Sequence, residues 1–357
     1  MNARNISPSD SGLMPAERIA NQQAYRVSTA TLRPRLRLDR NEGRPPTIGA
    51  NELAKLDLEL LRRYPSVSNL EASLADRLGV DREQVLVTAG GDDALLRICL
   101  ALLEPGREMI LPVPTFEMLT KYCCLADGKC IEVPWPQGEY PVQAVLERVT
   151  DQTSIIAVVS PNNPTGQVIS SADFSRLSAE APRALLLVDL AYTEFADVDL
   201  TIAALRMPNA IVVRTFSKAW GLAGLRVGYA AGPARLIEWL RRAGNPYAVS
   251  GLSTACATLA LLDESNEIAR YVAQVRAERA TLFEYLFQKG LDAVPSQGNF
   301  VFARTTRAES IWKNLAEQGI AVRWFGEQPS LSDGLRITCP GNQRDFDILI
   351  SSLGKIL

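Results

Sequence analysis

The chain has 357 residues, 47% hydrophobic and 22% charged, the balance of an ordinary globular protein long enough for two domains. A formal net charge of -2 offers no general attraction to nucleic acid or to an anionic membrane. There is no histidine, which excludes a Ser-His-Asp triad, a Cys-His dyad, a His-ligated zinc and an imidazole base.

Catalysis in such a chain must run on Lys, Asp, Glu, Tyr, Cys or a cofactor. The six cysteines (Cys99, Cys123, Cys124, Cys130, Cys256, Cys339) form no C-x-x-C pair, and a zinc site would need thiolates alone. No metal site is expected. Several lie in apolar runs, where a thiol behaves as a small buried hydrophobe, as in a reducing compartment. The polar start M-N-A-R-N-I-S-P-S-D lacks the apolar core of a signal peptide, and the apolar runs at 155–159 and 184–188 are far below a membrane span. A cytoplasmic location is the expectation.

Residues 1–37 carry Arg4, Arg18, Arg26, Arg33, Arg35 and Arg37 with little apolar periodicity. They read as a solvated arm, with a segment embracing a partner subunit as the alternative. Ser68-Asn69-Leu70-Glu71 reads as a capping box opening a helix that carries Leu70, Leu74 and Leu78 and stops at Gly79. A strand at 85–88 leads through Gly90-Gly91 into a helix ended by Pro105-Gly106, and the strand M-I-L-P leads past Pro114 into a helix to about Ala126. Strands follow at 130–133, 155–160, 184–189, 210–215 and 226–230, with helices at 141–149 and 171–180. Short, nearly all-apolar strands alternating with amphipathic helices predict an α/β fold, its mostly parallel sheet covered by helices on both faces. That pattern defines a large domain over 38–245. Beyond Pro246 comes a long helical tract, about 250–289, that could break near Asp263. Strands N-F-V-F-A, I-A-V-R-W and G-L-R-I-T follow, with a helix between the first two. These predict a smaller α+β domain over 246–357, joined by part of the arm.

Ligands of open α/β sheets sit beyond the carboxyl ends of the strands. After 85–88 comes A-G-G-D-D, two glycines entering a helix and offering N–H groups and a positive dipole end to an anion. After 155–160 comes P-N-N-P-T-G, presenting Asn163; the strand 184–189 ends in Asp189 with Tyr192 three residues on; after 210–215 comes Ser217-Lys218. The chain has only seven lysines among 38 basic residues, and Lys218 alone lies just past a core strand amid small and aromatic residues. Such surroundings favour a lysine amine that attacks a carbonyl. A nucleophilic lysine, a carboxylate and a phosphate cradle are the protein parts of a pyridoxal-phosphate site. Each feature alone has a plainer reading: Asp189 as a helix cap, Tyr192 or Phe116 as core, Gly90-Gly91 as a turn, Arg226 as a surface ion pair. Their coincidence at successive strand ends argues for one shared ligand.

The chain resembles the class I/II, fold type I aminotransferases, and among them the histidinol-phosphate aminotransferases. The resemblance runs from L-D-R-N-E at 38–42 to L-R-I-T at 335–338. It rests on R-Y-P (63–65), A-G-G-D-D (89–93), P-T-F-E-M (114–118), S-P-N-N-P-T-G (160–166), V-D-L-A-Y (188–192) and R-T-F-S-K-A-W-G-L-A-G-L-R-V-G-Y (214–229). It implies that Lys218 binds the pyridoxal 5'-phosphate aldehyde and then shuttles the substrate proton, while Asp189 pairs with the ring nitrogen. It further implies that Tyr192 and Asn163 bond the ring's phenolic oxygen and that Phe116 stacks on the ring. The phosphate falls to the Gly91 and Asp92 amides, Thr215, Ser217 and Arg226, with Tyr64 reaching it from the other subunit of a homodimer. Asn299, Arg323 and Arg336 match positions that hold the substrate's anionic end, a task suited to the planar guanidinium fork. The partners implied are a small-molecule amino donor and a keto acceptor.

Four departures stand out: N-E-G-R-P for the family's N-E-N-P, Phe116 for a usual tyrosine, Leu190 for a usual acid, and Trp324-Phe325 where small or polar residues are common. They leave the cofactor chemistry intact and open the substrate to an aromatic amino acid. A decarboxylase or lyase of the threonine-phosphate decarboxylase type shares these motifs and is the alternative. A nicotinamide-dependent dehydrogenase is disfavoured because no G-x-G-x-x-G follows a strand.

Overall fold

The computed structural model describes residues 14–20, 22, 24, 33–46, 48–262 and 265–357. Arg4, Arg26 and Asp263 lie outside the described residues. Two sheets organise the rest. The larger has seven strands in the spatial order Val85–Thr88, Gly228–Ala231, Ala210–Thr215, Leu185–Asp189, Thr153–Val159, Glu108–Val113, Lys129–Pro134. Only Gly228–Ala231 is antiparallel to its neighbours.

The central strands Thr153–Val159 and Leu185–Asp189 are buried along their whole length, because helices cover both faces. The two-residue repeat of a strand divides their side chains between two cores. Ile155, Ala157, Leu187 and Ile211 meet the helix Gly90–Leu102 and its neighbours, while Ile156, Val158, Leu186 and Val212 meet the helix Ser171–Glu180 on the other face. Ser170 caps the latter helix by accepting the Asp173 N–H at 3.0 Å.

The capping box expected at Ser68–Glu71 does not form. The helix spans Ser68–Leu78, so Ser68 lies inside it, and the Ser68 hydroxyl accepts from Arg82 at 2.8 Å. Glu71 is buried, accepting from Arg241 at 3.0 Å and from the Val87 N–H at 3.3 Å, and cannot reach back to the helix start. Gly79 ends the helix in the left-handed conformation as expected. The expected helix 141–149 is confined to Val142–Leu146. The last strand of the large sheet begins at Gly228 rather than 226, since Arg226 is itself left-handed, with φ 52°.

The smaller sheet runs in the order Leu36–Leu38, Ile320–Trp324, Gly334–Thr338, Phe300–Arg304, Asp292–Val294; its first pair is parallel and the others antiparallel. Residues 36 and 37, read as the end of a solvated arm, instead belong to this strand, and Leu36 and Leu38 are buried in the small core with Phe300, Val322 and Leu349. Upstream, Gln22 bonds the Cys124 thiol and Arg18 pairs with Asp127 at 3.2 Å, both on the same chain. The tract after Pro246 forms two helices, Gly251–Leu261 and Glu267–Gln288. The long second helix and the C-terminal helix Gln343–Ile356 contribute Leu282, Leu286, Leu349 and Leu353 to the core of the small sheet. No helix among the described residues is long and apolar enough to cross a membrane.

Candidate active site

The carboxyl ends of the central parallel strands open into a cavity of about 490 Å³, closed on its far side by the small sheet. Twelve of the fourteen residues expected at the site line it: Gly91, Asp92, Phe116, Asn163, Asp189, Tyr192, Thr215, Ser217, Lys218, Arg226, Arg323 and Arg336.

One end is an anion cradle. Gly90 has φ +82°, and a Cβ there would stand 2.6 Å from the Arg226 guanidinium; a Cβ on Gly228 would meet the Gly91 nitrogen at 2.7 Å. Helix start, strand and guanidinium thus approach closer than side chains would allow. Arg226 bonds Asp92 at 3.1 Å and reaches Ser217 at 3.4 Å, and the Thr215 hydroxyl lies 2.9 Å from that of Ser217. Tyr122 donates to the other oxygen of Asp92 at 3.1 Å, so this carboxylate is held at the rim of the cradle.

At the centre, Lys218 Nζ donates to the Arg40 carbonyl at 3.1 Å and lies 5.4 Å from the Tyr192 ring centroid. Asp189 ends its strand at the cavity wall and accepts the Ala191 N–H at 3.0 Å. Burial pushes its carboxyl up to about 6, against the opposing pull of that N–H and of Lys218. The Tyr192 oxygen accepts from the Asn41 amide at 3.0 Å, leaving its own hydrogen for a ligand. A buried carboxylate lacking a cation, a primary amine and a helix-start anion cradle in one cavity fit the ring nitrogen, aldehyde and phosphate of pyridoxal phosphate.

At the other end, Arg323 and Arg336 are cross-strand partners. Arg336 donates to Asn163 at 2.5 Å and to the Asp39 carbonyl at 2.8 Å. Arg323 approaches Glu117 at 3.6 Å, and its buried Nη1 has no hydrogen-bond partner among the described residues.

Two expected residues do not line the cavity. Asn299 is fully buried behind it, donating to the Asn41 carbonyl at 3.3 Å. Tyr64 stands exposed on the surface, stacked on Tyr247 with centroids 4.7 Å apart. Of the aromatic pair after Arg323, only Phe325 faces the cavity; Trp324 packs on Trp312. Asp39, Asn41, Glu117 and Gln328 were not singled out from sequence, although L-D-R-N-E and P-T-F-E-M contain three of them.

The family model described as aminotransferase class I and II matches residues 36–353. The chain belongs to the class I and II aminotransferases. A histidinol-phosphate aminotransferase of Ruminiclostridium cellulolyticum is 31% identical to this aminotransferase over 349 residues, 94% of each chain. An aromatic amino acid aminotransferase of Corynebacterium jeikeium is 33% identical over 83% of this chain and 82% of that one. The solved structure of a histidinol-phosphate aminotransferase from Sinorhizobium meliloti, in complex with pyridoxal-5'-phosphate, matches this aminotransferase with a TM-score of 0.78 at 23% identity, covering 91% of both. The fold is type I, and the enzyme is a pyridoxal-phosphate-dependent aminotransferase.

Proposed function

We propose that this aminotransferase uses histidinol phosphate as amino donor and a 2-oxo acid such as 2-oxoglutarate as acceptor. The observation that carries the reading is the pair of neighbouring guanidiniums, Arg323 and Arg336, at the end of the cavity away from the anion cradle. Relatives of that name at about the same identity over most of the chain support it. A second reading, an aromatic amino acid as donor, is favoured by Phe116 and Phe325 in the cavity wall. The decarboxylase reading has no observation of its own.

Pyridoxal phosphate supplies an aldehyde that takes up the amino group and a ring that stores the electron pair released at the substrate carbon. In this reading Lys218 would hold the cofactor through its amine, and the same amine is the group that would take up and return the proton at the reacting carbon. Asp189, ionised, holds the ring nitrogen's proton by a charge-assisted hydrogen bond. Tyr192 and Asn163 donate to the phenolic oxygen. The amides of Gly91 and Asp92, with Thr215, Ser217 and Arg226, hold the phosphate. Phe116 covers a ring face, and Arg336 grips the substrate's anion. Asn299 acts from behind, by fixing Asn41 and through it Tyr192.

The reading also makes the enzyme a homodimer. Tyr64 stands with exposed Leu58, Leu61 and Tyr247 on a face that a second copy would cover, bringing Tyr64 to the other copy's phosphate. Work in the cytoplasm suits its six free thiols.

The test is a half-reaction. Histidinol phosphate, added alone to the yellow holoenzyme, should bleach it, and 2-oxoglutarate should restore the colour. Bleaching by L-phenylalanine but not by histidinol phosphate transfers the assignment to the second reading; bleaching by neither overturns both.

A further inference from the structure

The substrate end of the cavity holds an acid that the transamination chemistry does not use. Three adjacent strands set a row of charges there. Leu38 pairs with Val322, so Asp39 comes next to Arg323, and Arg323 pairs with Arg336. Arg336 is fixed in place: its terminal nitrogens bond Asn163 and the Asp39 carbonyl, and its guanidinium lies 5.5 Å from the Phe300 ring centroid.

Arg323 is held differently. Its side chain is only 11% exposed, its guanidinium lies 5.4 Å from the Phe325 centroid, and Nη1 meets no acceptor among the described residues. Among the described residues the one carboxylate oxygen within 4 Å of it is Glu117 Oε1, at 3.6 Å, too far for a good hydrogen bond but close enough for strong attraction. Glu117 is fixed from the other side, where Oε2 accepts from Gln328 at 2.7 Å. Its side chain is 40% exposed, so the carboxylate stands at the rim and the guanidinium inside.

L-Phenylalanine brings a single carboxylate, within the reach of Arg336, and its uncharged ring can meet Phe325, so the Glu117–Arg323 pair stays intact. A phosphate dianion must share Arg323 with Glu117, whose negative charge repels it at close range. We propose that Glu117 is a specificity-determining residue, which sets how strongly Arg323 holds a phosphate and so the preference between phosphorylated and unphosphorylated aromatic donors. The inference rests on the transaminase reading of this cavity.

The experiment compares holoenzymes of the wild type, Glu117→Gln and Glu117→Asp. Glutamine keeps the Gln328 bond and removes the charge; aspartate keeps the charge. Glu117→Gln should raise kcat/KM for histidinol phosphate roughly tenfold, through KM with kcat unchanged, as expected for removing one partly screened charge. L-phenylalanine should change by less than about twofold, and Glu117→Asp should stay near wild type. Inorganic phosphate, titrated calorimetrically against the holoenzyme, should bind Glu117→Gln more tightly, with the gap closing at high salt. Equal changes for both donors, or unaltered phosphate binding, overturn the inference. If the wild type transaminates neither donor, the substrate reading fails separately, and the phosphate titration alone decides the role of Glu117.

Discussion

At the end of the cavity built on the seven-stranded sheet, Thr215, Ser217, Arg226, Tyr192 and Lys218 all bond other groups of the protein, whereas at the end built on the five-stranded sheet Arg323 Nη1 and Asp39 Oδ1 are buried without partners. An unsatisfied buried polar group costs about 1–3 kcal/mol, which is recovered when a ligand or a bound water supplies the missing bond. In the proposed function, the first end would be preorganised for one permanent occupant and the second left for an occupant that comes and goes. This difference matches a cofactor that stays bound through the cycle and two substrates that take turns.

The comparison breaks most sharply at Lys218. Lys218→Ala should lower turnover by about 10⁴-fold or more, the upper range for removing a positioned acid–base group, while the protein still folds and binds the cofactor without covalent attachment. Mixing this variant with Tyr64→Ala should restore part of the activity, because one site of a mixed dimer then carries both native residues. Full activity of Lys218→Ala would refute the assignment, and no recovery on verified subunit exchange would refute the shared site.

Arg336→Lys probes the other end. It keeps the charge but loses the fork that bonds Asn163 and the Asp39 carbonyl together. The expected loss in kcat/KM is roughly 10²-fold, carried by the substrate, with the cofactor's affinity changed much less. An equal loss of cofactor affinity would show that the two ends are not separable.

The two ends also differed in how far they could be read from sequence. Asp189 was legible because an apolar run, Leu185 to Val188, stops at a single acid, and Lys218 because it is the one lysine just past a core strand. Asp39 was not, because its place depends on the strand Leu36–Leu38 pairing with Ile320–Trp324, almost 300 residues away. A three-residue strand carries too little periodicity to announce itself. The same pairing brings Asn41 against Tyr192, Thr338 and Asn299, so the residues just after the segment read as an arm supply the hub between the sheets. At Ser68–Glu71 the local pattern was a capping box, and the tertiary demand for Glu71 beside Arg241 overrode it.

Asp189 qualifies the contrast, and its substitution should have the smallest effect on the folded chain. It belongs to the cofactor end, yet without the cofactor it is a buried acid whose carboxyl stands at about 6 instead of 3.8. A raised carboxyl means that the folded chain holds the proton more tightly than the unfolded one. Stability of the cofactor-free protein should therefore fall as pH rises from about 4 through about 6, and stay low above that window. Asp189→Asn removes the titration and keeps an acceptor for the Ala191 N–H. At pH 8 it should make the cofactor-free protein more stable by about 2–3 kcal/mol, from a shift of some two pH units, and at pH 4 the two proteins should unfold alike. The same variant should bind the cofactor more weakly, having lost the charge-assisted bond to the ring nitrogen. Unfolding curves with and without cofactor at the two pH values measure both effects. A stability gap that does not change with pH would mean that burial of Asp189 is not the strain that the cofactor relieves.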